Sequence, residues 1–427
     1  MKAVGSALLT SVAHLSRIAV GFLLIKLIAF YLGPEGLGAL GHFMSLCTIV
    51  YMLAGGGVTN AIIKYTAEYA GQPRKLLRFI SVSTSYSFFG CVLVGGLGVL
   101  LSKPLAVAVF NDAGQFWLIV FLSLAVFGFA FVNMVVGVGN GLIQTHVYSR
   151  VQLVGSLLAV LIVFWLTSSY GMTGGALSVV VIYLTPVVPA LFIYWRSVFR
   201  ARVRIVKLKM DEFKQLAAFS GMLFVSAVSF PVVEIIIRQW LIESAGFDTA
   251  GLWQGLIKLS AAYLGFFTIF LSYYFMPLIS RVDAAGEVGR LTVRYLLAVA
   301  ALFAFGGGVL FWGREFFIPL ILSEKFHPAS DYLHFQLVGD FFRVVSYVIG
   351  FVAVAKASFR LYVAAELLQN GLFLGFSFAF LKYYPGVDGV VRGYVATYVV
   401  YLSVAVLCFL IYLSRAHMKR GRNAVCR

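Results

Sequence analysis

The segment QFWLIVFLSLAVFGFAFVNMVVGV, residues 115–138, contains no charged side chain and decides the fold class. A helix that crosses a bilayer needs about 20 consecutive, mostly apolar residues, and this segment is longer than that. It does not show the alternation of apolar and polar residues that marks the strands of a membrane barrel. The segment is therefore predicted to be a transmembrane helix.

Eleven more segments of this kind are found on either side of it. Of the 427 residues, 61% are hydrophobic and 11% are charged, whereas soluble domains contain about 45–50% apolar and about 25% charged residues. The chain is predicted to be an all-α membrane protein with twelve transmembrane helices, at residues 6–32, 38–63, 79–101, 115–138, 151–168, 174–195, 215–241, 251–279, 291–313, 332–355, 358–381 and 393–414.

The formal net charge of +17 is distributed unequally between the two sides of these helices. Only five basic residues fall on one side, namely Lys103, Arg314, Lys325, Lys382 and Arg392, and most of the others lie at the helix ends and loops of the opposite side. Because Lys and Arg are retained in the cytoplasm, both termini are predicted to be cytoplasmic. The charge is thus explained by membrane topology, and nucleic acid is excluded as a partner.

A basic linker at residues 196–214 divides the chain into an N-terminal lobe, 1–195, and a C-terminal lobe, 215–427. Residues 175–195 align without gaps to residues 393–413, with seven of 21 positions identical. Six helices in each lobe would give both lobes the same orientation, so they would form a parallel repeat around a central cavity.

Ionisable side chains inside membrane helices are costly and therefore mark functional candidates. Eight are predicted to lie deep: Arg17, Lys26, Glu234, Arg238, Lys258, Asp340, Arg343 and Glu366. Cations exceed anions in this set, which favours an anionic ligand such as a pyrophosphate. Glu234 and Glu366, with Asp340, are candidates for charge balance or for carrying a coupling proton.

Helical spacing orders these candidates. Glu234 and Arg238 are four residues apart, and Asp340 and Arg343 are three apart, so each pair shares a helix face. In a second interpretation both pairs only neutralise each other and bridge helices.

Arg17 lies near the middle of its helix and is the strongest single candidate for a cation that faces the cavity. Lys26 is half a turn out of phase with it and is long enough to reach the interface. Lys258 lies about a third of the way into its helix, and its position favours neither the cavity nor the membrane interface.

Several other functions are excluded. Residues 36–41 match the glycine pattern of nucleotide sites, but no strand precedes them. The cysteines at positions 47, 91, 408 and 426 have neither metal-ligand nor disulfide spacing. No loop is large enough for a catalytic domain, so no enzyme activity, catalytic residue, cofactor or metal is expected.

Two strings, VGDFFR at residues 338–343 and AKASFRLYVAAE at residues 355–366, resemble motifs of the Wzx-type flippases. These flippases belong to the multidrug/oligosaccharidyl-lipid/polysaccharide exporter superfamily. The N-terminal segments LGPEGLG, 32–38, and GGGVTNAIIKY, 55–65, agree with the same resemblance, which covers essentially the whole chain.

The resemblance implies a two-lobed protein of the bacterial inner membrane. It would move an undecaprenyl-pyrophosphate-linked oligosaccharide, a unit of enterobacterial common antigen or of O-antigen, to the periplasmic leaflet. Membrane lipids and a glycan polymerase with its chain-length regulator are the implied partners. The matching positions include Arg17, Lys26, Lys64, Arg238, Asp340, Arg343, Lys356, Arg360 and Glu366.

Two rival functions stay open at this point. A multidrug or cation antiporter of the same superfamily would prefer an acidic cavity, whereas the deep charges here are net positive. An intramembrane glycan polymerase would need a large external loop that carries its catalytic residues.

Overall fold

The computed structural model describes residues 2–200, 202–282, 284–355 and 359–425, and none of these residues lies in a β-strand. The prediction of an all-α protein is confirmed. The α-helices are α1 (Lys2–Leu53), α2 (Thr59–Glu68), α3 (Pro73–Leu100), α4 (Ser102–Phe110), α5 (Phe116–Gly141), α6 (Thr145–Leu184), α7 (Val187–Trp195), α8 (Met210–Phe270), α9 (Met276–Ser280), α10 (Ala285–Trp312), α11 (Arg314–Ile321), α12 (Leu333–Ala355), α13 (Phe359–Leu381) and α14 (Val387–Val425).

Shorter helical turns join some of these helices. Three are 3₁₀ segments, at Ala54–Gly57, Ala113–Gln115 and Glu324–Tyr332. A single π-helical turn, Leu271–Phe275, connects α8 to α9. Such turns occur where the regular hydrogen-bond ladder is interrupted.

Nine stretches of the described chain are long and apolar enough to cross a membrane. Three of them, Leu15–Glu68, Thr145–Trp195 and Met210–Phe270, contain 54, 51 and 61 residues, more than twice the roughly 20 that one crossing needs. The count of twelve crossings stays a prediction, since helix lengths alone do not locate the bilayer.

A glycine outside helical geometry interrupts each of the three long stretches. Gly33, Gly171 and Gly246 have φ values of 71°, 52° and 83°, a region that glycine enters without a steric penalty. Each glycine falls between two of the predicted helices, so the chain changes direction where the sequence indicates a short connection.

The chain forms two compact units. The first comprises the residues up to Leu32 together with Ala39–Ile235, and the second comprises Gly33–Gly38 and the residues from Ile236 onward. The predicted boundaries of the lobes, at the linker 196–214, stay a prediction.

In the first unit, an apolar cluster lies beside α3 and the N-terminal part of α8. Ile62, Phe79 and Leu216 are buried within it, and Val203 and Val206 pack against it from the linker. Two buried serines of α3 accept hydrogen bonds from linker backbone N–H groups. Residues 203–208 of the linker therefore pack against this unit.

The second unit contains a close glycine contact between residues 33–38 and α8. A Cβ on Gly38 would overlap the carbonyl oxygen of Phe247, and a Cβ on Gly251 would overlap the carbonyl oxygen of Pro34. Only glycine permits this approach of two backbones.

Replacing Gly251 with Ala is expected to destabilise the protein by about 1–3 kcal/mol, because the added methyl group cannot be accommodated without a backbone shift. Thermal unfolding in detergent would measure the change. Gly265→Ala is the matched control, since a Cβ at this position of the same helix meets no atom within 4 Å. Equal stability of the two variants would contradict the assigned contact.

Candidate functional site

In the first unit, Arg17 of α1 lies among aromatic side chains. Its guanidinium carbon is 5.7 Å from the centroid of the Tyr51 ring. Tyr51 in turn stacks on Tyr183, with centroids 4.4 Å apart, and Tyr183 and Tyr148 contribute to the electrostatic environment of Arg17. The Arg17 side chain is accessible. A guanidinium in this setting gains cation–π stabilisation and still offers several N–H donors to an anion.

The structure places Lys26 and Lys64, two other predicted cations of this unit, at accessible positions. Lys26 follows Leu24 and Ile25 and precedes Leu27, all of which are buried. The Lys64 ammonium is 4.9 Å from the centroid of the Tyr65 ring and 5.6 Å from that of Phe219. Both ammonium groups can therefore be reached by a ligand or by lipid headgroups.

Glu234 also belongs to the first unit and is 5% exposed. The hydroxyl of Ser45 donates a hydrogen bond to its Oε2 at 3.2 Å. This contact supplies one partner for a carboxylate in an apolar region. The predicted pairing of Glu234 with Arg238 stays a prediction.

In the second unit, the fully buried Asp340 of α12 accepts hydrogen bonds from four side chains. Its Oδ2 receives the hydroxyls of Ser260 and Tyr263, each at 2.5 Å, and the amide of Gln336 at 3.2 Å. Its Oδ1 receives the hydroxyl of Tyr394 at 2.6 Å. Four donors offset much of the cost of burying a carboxylate.

Tyr394 also connects Asp340 to Arg343. Its hydroxyl donates to Asp340 and accepts a hydrogen bond from Nη1 of Arg343 at 3.0 Å. The Arg343 guanidinium lies over the rings of Tyr398 and Tyr347, at 5.2 and 5.8 Å. The two charges predicted to share a helix face are thus linked through a phenol from α14, which the spacing on α12 could not show.

Replacing Tyr394 with Phe should weaken this link while keeping the ring in place. The loss of one hydroxyl leaves an acceptor on Asp340 and a donor on Arg343 without this partner, at a cost of about 1–3 kcal/mol. Unfolding measurements in detergent would report it. Tyr384→Phe, which removes an exposed phenol between α13 and α14, serves as the control. A Tyr394→Phe variant as stable as the wild type would contradict the proposed link.

Arg238 is fully buried in the second unit. Its Nη2 donates to Oε1 of Gln254 at 2.6 Å, and its guanidinium lies 5.8 Å from the ring centroid of Trp253. In this conformation Arg238 is therefore a buried cation held by polar and aromatic neighbours, and solvent does not reach it.

The remaining candidates are less enclosed. Lys258 is half-buried on α8. Glu366 is half-buried on α13, accepts a hydrogen bond from Asn370 at 3.5 Å and interacts electrostatically with Arg343. The side chain of Arg360 and the whole of Lys356 lie outside the described residues.

The sequence analysis did not predict six of the residues that contact the candidate charges, namely Tyr51, Tyr183, Gln254, Ser260, Gln336 and Tyr394. Two of them, Ser260 and Gln336, could have been found from helical spacing. Gln336 lies one turn before Asp340, and Ser260 lies three residues before Tyr263, so each polar pair shares a face. Tyr51 had no comparable signal, because aromatic residues are abundant throughout the chain.

Long apolar helices with ionisable side chains inside them define a polytopic membrane protein. The family model described as polysaccharide biosynthesis protein matches residues 4–283, and the chain belongs to this family. It is 31% identical over 415 residues to the lipid III flippases of Escherichia coli (strain K12) and Shigella flexneri, and the alignment covers 96% of this chain and 99% of each relative. Flippases are transporters and not enzymes, in agreement with the prediction.

Solved structures show the same fold. The inward-facing conformation of a multidrug resistance MATE family transporter of the MOP superfamily aligns with a TM-score of 0.68 and 16% identity, over 95% of this chain and 96% of that one. The outward-facing conformation of such a transporter aligns with a TM-score of 0.66 and 15% identity, over 97% and 96%. The prediction of a MATE-like fold is confirmed.

Proposed function

We propose that this protein moves an undecaprenyl-pyrophosphate-linked oligosaccharide from the cytoplasmic to the periplasmic leaflet of the bacterial inner membrane by alternating access. Lipid III of enterobacterial common antigen is the first candidate, since two relatives that match over almost their whole length are lipid III flippases. An O-antigen unit is the second candidate. Both termini lie in the cytoplasm in this proposal, and a glycan polymerase and its chain-length regulator act on the product.

The accessible Arg17 is the observation that carries the proposal. A cation inside a membrane helix needs a compensating partner. The groups described around Arg17 are the neutral phenols of Tyr51, Tyr183 and Tyr148, so a diphosphate can supply that partner. The guanidinium binds phosphate oxygens through two parallel hydrogen bonds, and the tyrosine rings around it keep its plane oriented.

The other candidates have different roles in this proposal. Lys26 and Lys64 are accessible and attract the diphosphate together with Arg17. Lys258 and Arg360 are further candidates for binding the substrate. Arg238, which is buried, and Arg343, which is half-buried, add to the positive charge of the second unit. Glu234, Asp340 and Glu366 balance these charges or carry a coupling proton.

A multidrug or cation antiporter is the alternative, and the MATE fold alone is compatible with it. Cations outnumber anions among the ionisable side chains of the predicted membrane helices, which opposes a cationic substrate. The flippase function is therefore favoured over the antiporter function.

Complementation of bacterial strains that lack defined flippases tests the proposal. Restored common antigen supports lipid III, and restored O-antigen alone supports the second substrate. Restored resistance to cationic drugs, without any surface glycan, would overturn the proposal in favour of the antiporter. The variants Arg17→Ala and Arg17→Lys then test whether any restored glycan export depends on Arg17.

A further inference from the structure

The linker between α7 and α8 has two different sides. Residues 202–209 form neither helix nor strand after an initial turn. Val203, Val206 and Leu208 pack against the apolar cluster of the first unit. Arg202 and Arg204 are exposed, as are Lys207 and Lys209, so these three apolar side chains point to the protein while the basic ones point outward.

Polar contacts to α3 and to the start of α8 hold this segment in place. The backbone N–H of Arg204 donates to Ser81 at 3.4 Å, and that of Val206 donates to Ser85 at 2.8 Å. Arg78 forms two hydrogen bonds with Glu212, at 3.0 and 3.1 Å, and a third at 3.4 Å with the carbonyl oxygen of Lys207. Because the backbone is anchored, the four cations keep a defined arrangement.

The charge of this surface is strongly positive. Glu212 forms an ion pair with Arg78 and therefore does not neutralise the four cations. Asp211 is the other acidic residue at the start of α8. Large apolar side chains are exposed next to the cations, with Ile205 at 60% and Met210 at 66%. Cations interleaved with exposed apolar side chains match the headgroup region of a bilayer, where both kinds of group are satisfied.

We propose that residues 202–209 form a binding surface for anionic phospholipids of the leaflet that this linker faces. The basic side chains contact the phosphates, and Ile205 and Met210 enter the adjoining apolar region. The surface lies within the first unit and is distinct from Arg17. An acidic protein would satisfy the cations but not the apolar side chains.

The test uses the purified full-length chain in neutral detergent with added phosphatidylglycerol or phosphatidylcholine, and native mass spectrometry counts the bound lipids. A cation near an anionic surface contributes about 1 kcal/mol, or about fivefold in affinity. The variant Arg202→Gln/Arg204→Gln/Lys207→Gln should therefore lose most of its binding of phosphatidylglycerol and keep that of phosphatidylcholine.

Two further variants serve as controls. Arg281→Gln/Arg290→Gln/Arg294→Gln removes three exposed cations of the second unit and should bind phosphatidylglycerol almost as the wild type does. The charge-conserving Arg202→Lys/Arg204→Lys should also retain binding. The same loss in both neutralised variants, or no loss in the linker variant, would overturn the proposal. Hydrogen exchange that slows at residues 202–209 on addition of phosphatidylglycerol would locate the lipid at this surface.

Discussion

Replacing Arg17 with Ala is expected to reduce glycan export by roughly 10- to 150-fold, the largest effect on transport among single substitutions. A hydrogen bond to a charged group contributes about 1.5–3 kcal/mol, which corresponds to that range of affinity. The phenols around Arg17 would remain, but they carry no positive charge to attract a diphosphate. Surface glycan in a complemented flippase-deletion strain, normalised to the amount of protein in the membrane, measures the effect.

Two other variants separate the proposed role from a general effect of charge. Arg17→Lys keeps the positive charge but loses the planar fork of donors, so we expect an intermediate loss. Arg150→Ala removes an exposed arginine at the beginning of α6 and should leave export close to normal. Full export by Arg17→Ala at normal protein levels would show that this residue does not bind the diphosphate.

Replacing Asp340 with Ala should produce the largest loss of stability, about 3–5 kcal/mol, because it removes the common acceptor of a buried network. The hydroxyls of Ser260, Tyr263 and Tyr394 and the amide of Gln336 would lose the acceptor that now joins them. Thermal unfolding in detergent, followed by hydrogen exchange of α12 and α14, would detect it.

Asp331→Ala is the matched control, since Asp331 is exposed in the 3₁₀ segment before α12. Asp340→Asn keeps one acceptor oxygen and should give a smaller loss than Ala. If Asp340→Ala unfolded at the wild-type temperature but failed to transport, Asp340 would act in coupling and not in holding the second unit together.

The arrangement around Asp340 shows what helical spacing can and cannot predict. Asp340 and Arg343 are three residues apart, and their proximity follows from the geometry of one helix. Tyr394, which joins them, is 51 positions after Arg343 and 54 after Asp340, and its place depends on how α14 packs against α12. The apolar pattern indicates that α14 is a helix, but it does not predict which residues the Tyr394 hydroxyl will contact.

The cations inside the predicted membrane helices differ in their accessibility, which hydropathy could not predict. Arg17 and Arg238 both occur inside apolar segments, and the sequence predicts that both bind the substrate, with Arg17 as the stronger candidate. In the structure Arg17 is accessible among tyrosines, whereas Arg238 is fully buried and bonded to Gln254. Accessibility depends on neighbouring helices, so one residue type in one kind of segment has two different environments.

The sequence by itself determined the class of protein, because a long apolar segment without the alternation of barrel strands can satisfy its backbone in lipid only as a helix. It also indicated where the chain turns, at glycines such as Gly33 and Gly246, since backbone conformation is a local property. The tertiary structure alone decided which polar groups meet and which charges stay accessible. Those outcomes depend on contacts between residues far apart in the chain, which no local pattern records.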